Sequence, residues 1–196
     1  MTDRPLEPNS LCVPTVRNGT RNIATACALL AVVAMVYLGI RWLPRDSPNR
    51  PLNPSAAKGR QAPNFALSTT EGKIVHLADY RGKAVLINFF GTTCEPCREE
   101  SPHLAEMQKR NAARGLEIIG IDMYNSSNDA IEKYRNDFGT TYVLLHGNDS
   151  VGDQYGIDGL PVSYFLNAKG VVVATTVGLR PEKEMDDRLE AALHEE

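Results

Sequence analysis

The pattern of apolar and polar positions divides this chain into three stretches. The first is an uninterrupted apolar run, Ile23 to Ile40, without a charge and bracketed by Arg21 and Arg41. A soluble helix keeps a polar face, and this run has none, so it predicts a membrane span over residues 23–40. At helical rise it reaches about 27 Å, close to the thickness of the hydrocarbon core. Tyr37 and Trp42 suit the interfaces. The second stretch holds Pro44, Pro48, Pro51 and Pro54, with Pro63 just beyond, among Asn, Ser, Arg and Gly. It predicts an extended linker over residues 41–60, with a reach of up to about 60 Å at polyproline rise.

The third stretch, residues 61–196, reads as the folded domain. Ala66-Leu67 and Ile74 to Leu77 flank Thr70-Glu71-Gly72-Lys73, a β-hairpin with Gly72 at its turn. Ala84 to Phe90 is apolar on both alternations, the mark of a strand covered on both faces. A helix is expected from Glu95 to Ala113, ended by Gly115, and a buried strand follows at Leu116 to Ile121. Ser127 or Asn128 caps a helix carrying Ile131, Tyr134 and Phe138 on one face and stopped by Gly139. Tyr142 to Leu145 is a short strand. Val162 to Leu166 and Val171 to Val177 form a hairpin, and Pro181 opens a last helix with Met185, Leu189 and Leu193 on its apolar stripe. Strands alternating with helices predict an α/β fold with a mixed central sheet flanked by helices.

Composition narrows the possibilities. A net charge of −3 gives no reason to expect nucleic acid as a partner. Of four cysteines, Cys12 and Cys27 fall outside the domain and read as an incidental thiol and a small apolar residue of the span. No small-residue cleavage pattern follows the apolar run between Gly39 and Leu43, so the run reads as a retained anchor behind a cytoplasmic tail, residues 1–22. Arg4, Arg17 and Arg21 precede it, and Arg41, Arg45, Arg50, Lys58 and Arg60 follow. Flanking charge alone favours a cytoplasmic domain, but long domains translocate largely regardless of it. The chemistry of the remaining two cysteines places the domain on the extracytoplasmic side.

Those cysteines stand in Cys94-Glu95-Pro96-Cys97, where the buried strand gives way to a helix. Two cysteines at this spacing form a disulfide with each other and reopen it. Cys94 falls at the helix N-terminus, where free N–H groups and the macrodipole favour a thiolate, which makes it the attacking sulfur. Pro96 suits a first turn, where its missing donor costs nothing. Cys97 is then the resolving thiol. Glu95 opposes ionisation of Cys94 by like charge and leans the pair toward donating electrons. Zinc would need a second pair of ligands, and His76, His103, His146 and His194 lack ligand spacing. His103 reads as a residue of an exposed helix face. Asn125-Ser126-Ser127 and Asn148-Asp149-Ser150 match glycosylation triplets of the kind that arise by chance.

Phe89 to Glu100, centred on the CEPC dithiol, resembles the active-site segment of the TlpA/ResA-like branch of the thioredoxin superfamily. Pro102 matches that group's helix-kinking proline, Gly159-Leu160-Pro161 its cis-proline loop, and Asn167 to Gly170 the hairpin that follows. The resemblance covers residues 61–196. It implies a thioredoxin fold with an added N-terminal β-hairpin and a central αβ insertion. It implies an extracytoplasmic reductant, anchored by a single pass in the cell inner membrane and recharged by a membrane thiol–disulfide carrier. Its substrates would be protein disulfides such as those of apocytochrome c, and its only redox group the Cys94–Cys97 pair, with no bound cofactor or metal. It carries catalytic roles to Cys94, Cys97 and Glu100, with Glu100 managing the pair's protons. The resemblance makes Pro161, Leu160, Glu95 and Pro96 the expected surface met by substrate. The chain departs from the group at Thr93, where Trp is frequent, and from thioredoxin proper at Asn88, where a buried Asp is usual.

Two other functions remain open at this level. A copper-handling assembly factor would use the same soft thiolates, although no Met- or His-rich cluster accompanies them. A peroxiredoxin-like peroxidase would need Pro and Thr where the chain has Ile87 and Gly91.

Overall fold

The computed structural model describes residues 29–37 and 51–194. The chain divides into two units, Met1–Arg45 and Asp46–Glu196. In the first, residues 29–37 form a helix, α1, with every side chain exposed. The rest of the expected span 23–40, the tail 1–22 and residues 41–50 lie outside the described residues. Among the described residues no helix is long and apolar enough to cross a membrane.

The second unit begins with the hairpin β1 (Ala66–Ser68) and β2 (Ile74–His76). There follow β3 (Ala84–Phe90), α2 (Glu95–Asn111), β4 (Leu116–Asp122), α3 (Asn128–Phe138), β5 (Val143–His146), α4 (Asp149–Tyr155), β6 (Val162–Leu166), β7 (Val172–Val177) and α5 (Glu182–His194). The main sheet runs β5-β4-β3-β6-β7. β3, β4 and β5 are parallel, and β6 and β7 are antiparallel to their neighbours. The sheet is mixed, as the sequence pattern predicts.

β3 is apolar on both alternations because both faces of the sheet are covered. Val85, Ile87 and Phe89 pack with Leu67 and Val75 of the hairpin and with Tyr155 and Tyr164. Leu86 and Phe90 pack with Leu104 and Met107 of α2, Ile131 of α3 and Met185 and Leu189 of α5. Asn88 lies on this second face, between Leu86 and Phe90, because side chains alternate along a strand.

Two features differ from the sequence-based expectation. Residues 51–60, expected to be extended linker, are docked on the domain. Leu52 and Ala57 are buried, Leu52 N–H donates to Gln154 O (2.7 Å), Gly59 N–H to Val172 O (2.8 Å), and Thr175 Oγ1 to Pro54 O (2.7 Å). The prolines are compatible with this because Pro54 starts a short 3₁₀ turn capped by Asn53. The second is α4, for which the sequence pattern predicts no element. Asn148, which also matches a sequon triplet, caps it by accepting from Val151 N–H at 2.9 Å.

α4 and the docked segment meet at Gly156, whose φ is +62° and where a Cβ would fall 2.3 Å from the Leu52 carbonyl oxygen. Gly156→Ala is therefore expected to destabilise the domain by about 2 kcal/mol, combining left-handed strain with a backbone clash. Gly115→Ala, at φ +89° with open space around it, should cost about 1 kcal/mol, from strain alone. Urea denaturation of both variants checks this, and equal losses would remove the clash from the account.

Candidate active site

The dithiol is positioned by the end of β3 and the start of α2. Cys94 is the N-cap of α2, and its Sγ accepts the Cys97 N–H at 3.3 Å. The two sulfurs are joined in a disulfide, with Cα atoms 5.3 Å apart. Cys97 is fully buried, whereas Cys94 keeps an edge at the surface beside exposed Thr93, Glu95 and Pro96. Of the two, Cys94, 6% exposed, lies nearer the surface. The chain thus brings Cys94, Glu95, Pro96 and Cys97 together in one turn.

Pro161 begins where β6 pairs with β3. The Leu160–Pro161 peptide is cis, and Val162 stands opposite Phe89. Leu160 packs against the cluster that contains both cysteines. Val162 follows Pro161 directly, so the register brings the proline loop alongside the strand end that feeds the dithiol. Gly178 N–H donates to the Pro161 carbonyl at 2.8 Å, tying this loop to the end of β7.

Glu100 is a buried carboxyl one turn beyond Cys97. Burial pushes it up to about 7, against the opposing pull of its hydrogen bond from Asn88. Asn88 Nδ2 donates to Glu100 Oε1 at 2.7 Å and to Ser163 Oγ at 3.0 Å. Asn88 therefore orients the Glu100 carboxyl from β3. Glu100 also lines a cleft of about 430 Å³ with His103, Leu104, Leu179 and Met185.

The helix segment beneath the dithiol is held from the side. Pro102 deprives the Arg98 carbonyl of its helical donor. The neighbouring Cys97 carbonyl accepts from Ser101 Oγ (2.8 Å) and from the Tyr134 hydroxyl (3.2 Å), and these two hydroxyls also touch. Burial pushes the Tyr134 hydroxyl up to about 12, so it stays a donor at neutral pH. Arg98 donates to the Thr92 carbonyl (3.2 Å), lies 4.9 Å from the centre of the Phe138 ring and pairs with Asp137 at 3.8 Å.

His103 corrects an expectation. Its side chain is only 9% exposed and is wedged between α2 and α5, with Nδ1 3.5 Å from Glu182 and Nε2 3.3 Å from Asp186. The packing of α5 across α2 buries a face that the α2 sequence alone leaves polar. Ser101, Tyr134 and Ser163 carry no sequence signal that assigns them to the site. Asn88 carries two signals, a polar residue inside an otherwise apolar strand and the departure from thioredoxin proper at that position.

The fold and the dithiol define a class: a thioredoxin-fold protein with a redox disulfide capping its active-site helix. Residues 58–175 match the AhpC/TSA family, and the chain belongs to that family. It is 35% identical over 134 residues to the thiol-disulfide oxidoreductase ResA of Bacillus subtilis, covering 68% of this chain and 74% of that one. It is 33% identical to the ResA of Geobacillus thermodenitrificans over 138 residues, covering 70% and 79%. A solved thiol:disulfide interchange protein of the thioredoxin family from Chlorobium tepidum superposes with a TM-score of 0.62 at 30% identity, covering 76% of this chain and 99% of that one. The protein is a thiol–disulfide oxidoreductase.

Proposed function

We propose that this protein is a reductant of protein disulfides, held at the outer face of the cell inner membrane by residues 23–40, and that apocytochrome c is among its substrates. Cys94 thiolate attacks one sulfur of the partner disulfide. That S–S bond breaks, a Cys94–partner disulfide forms, and the first partner sulfur leaves as a thiolate that takes up a proton. Cys97 then gives its proton to Glu100 and attacks Cys94 Sγ, releasing the second partner thiol and closing Cys94–Cys97. Two electrons have passed to the partner, and a membrane thiol–disulfide carrier returns them. Glu100 has an affinity near neutrality, which suits a group that both takes and returns a proton. Pro161 and Leu160, with Glu95 and Pro96, form the surface along which the substrate chain lies. The dithiol is the only redox group this scheme needs.

The observation that carries the direction is the pair of acids around the dithiol. Glu95 is exposed in the first turn of α2, Glu100 is buried in the second, and Arg98 between them is partly neutralised by Asp137. Strong oxidases owe their potential to a stabilised reduced form, and acids beside the nucleophile oppose that stabilisation. Redox titration against glutathione or dithiothreitol is expected to place the Cys94–Cys97 couple near or below about −220 mV. A potential near about −120 mV would make the protein an inserter of disulfides and end the cytochrome reading.

A further inference from the structure

We propose that the Tyr124 ring is a specificity contact that recognises an apolar side chain next to the cysteine of the partner's disulfide. The proposal deepens, and rests on, the reading of the dithiol as a reductant of protein disulfides.

β3 and β4 are parallel, β6 is antiparallel to β3, and β7 is antiparallel to β6. The ends of β3, β4 and β7 and the start of β6 therefore share one end of the sheet, where Cys94 also lies. In residues 51–194 the exposed large apolar side chains are Ile74, on the hairpin, and Tyr124, Val177 and Leu179. The last three are all at that one end, at or just beyond the ends of β4 and β7. Exposed apolar area concentrated beside a reactive group marks a surface that a partner covers.

Tyr124 is the most exposed of the three, at 53%. Its ring lies so close over Gly91 that a Cβ there would come within 2.5 Å of it. The loop that carries it is fixed to the loop that carries the dithiol. Met123 N–H donates to the Phe90 carbonyl at 2.8 Å. The buried Asp122 carboxylate accepts from Ser126 N–H (2.8 Å) and Ser126 Oγ (3.0 Å), and Ser126 Oγ accepts the Thr92 hydroxyl at 2.8 Å. Asn125, at φ +52°, turns the chain between them. The ring is thus an anchored platform, and anchored aromatics dominate the energetics of recognition.

Position 93 is Thr, so the dithiol loop itself offers no aromatic surface before Cys94; Tyr124 supplies one from the adjoining strand end. A polypeptide bonded to Cys94 crosses between Tyr124 on the β4 side and Pro161 with Val177 on the β6–β7 side. Its side chain beside the bonded cysteine meets the ring, and an apolar one gains by covering it.

The test uses the full chain in detergent micelles, pre-reduced, in single turnovers with two synthetic peptides. Each peptide is closed by one disulfide; one has Leu on either side of each cysteine, the other Ser. The wild type is expected to oxidise about tenfold faster with the Leu peptide, the size of discrimination a single apolar contact supports. Tyr124→Ala should bring the two rates to within about twofold by losing that contact, and Tyr124→Phe should keep the preference. Gly91→Ala, whose Cβ displaces the ring, should lower the preference as well. A preference that survives Tyr124→Ala, or equal slowing of both peptides in that variant, overturns the proposal. A wild type that discriminates between the peptides by less than twofold overturns it too, while reduction of both leaves the function intact. Reduction of neither peptide by the wild type strikes the reductase reading itself and removes the basis of this one.

Discussion

Cys97→Ser is expected to accumulate partner proteins as covalent adducts on Cys94, while Cys94→Ser forms none and loses disulfide turnover by at least about a thousandfold. The reason is the asymmetry of the pair. Cys94 caps α2 with an edge at the surface, and its sulfur already accepts a helix N–H. Cys97 is completely buried, so no partner disulfide reaches it before Cys94 has reacted. Removing Cys97 leaves the first exchange intact and deletes the internal attack that releases the partner. The adducts are read by non-reducing electrophoresis of an acid-quenched extract, followed by mass spectrometry of bands that dithiothreitol dissolves. Adducts on Cys94→Ser and not on Cys97→Ser would reverse the two roles.

Raising the pH from about 4.5 to above about 7 should cost the oxidised protein about 3 kcal/mol of folding stability through Glu100. The folded carboxyl is pushed up to about 7 by burial, from an ordinary value of 4.5. Between these values the folded chain holds a proton that the unfolded chain has released. Stability is therefore complete below the unfolded value and is lost as pH rises through the folded one. Glu100→Gln keeps an oxygen for the Asn88 Nδ2 hydrogen bond and cannot ionise. The variant should exceed the wild type in stability at pH 8 and lose that advantage at pH 4.5, as read by urea unfolding of the oxidised proteins. Parallel curves across the window would mean that Glu100 ionises freely in the folded state. If Glu100 takes the Cys97 proton as proposed, the same variant should also slow Cys97 attack in the reduced protein.

The secondary structure was legible wherever a local signal sufficed. The β3 run, the cap at Ser127, the turn glycines and the apolar stripe of α5 are each written in a few adjacent residues, and each element formed there. Residues 51–60 depart from the extended linker their prolines predict, because proline content describes an isolated chain, whereas Leu52 and Ala57 are buried beside residues about a hundred positions away. α4 is not legible in the sequence, because its seven residues carry too short a pattern to stand out from loop.

For the site, the sequence by itself determined where the dithiol lies. Two cysteines at CxxC spacing, between an apolar strand and a helix, put Cys94 on a helix N-terminus whatever packs around it, because capping depends on the local backbone alone. It also offered Glu100 and Pro161, as residue types at fixed offsets. Only the tertiary structure decided what surrounds these atoms. Ser163, 75 residues from Asn88 in the chain, completes the cradle of Glu100 through the β3–β6 register. The packing of α5 on α2 buries His103, and the parallel ends of β3 and β4 lay Tyr124 over Gly91. Desolvation of a carboxyl and exposure of a ring depend on which distant surfaces meet, and that is set by burying both faces of one sheet at once.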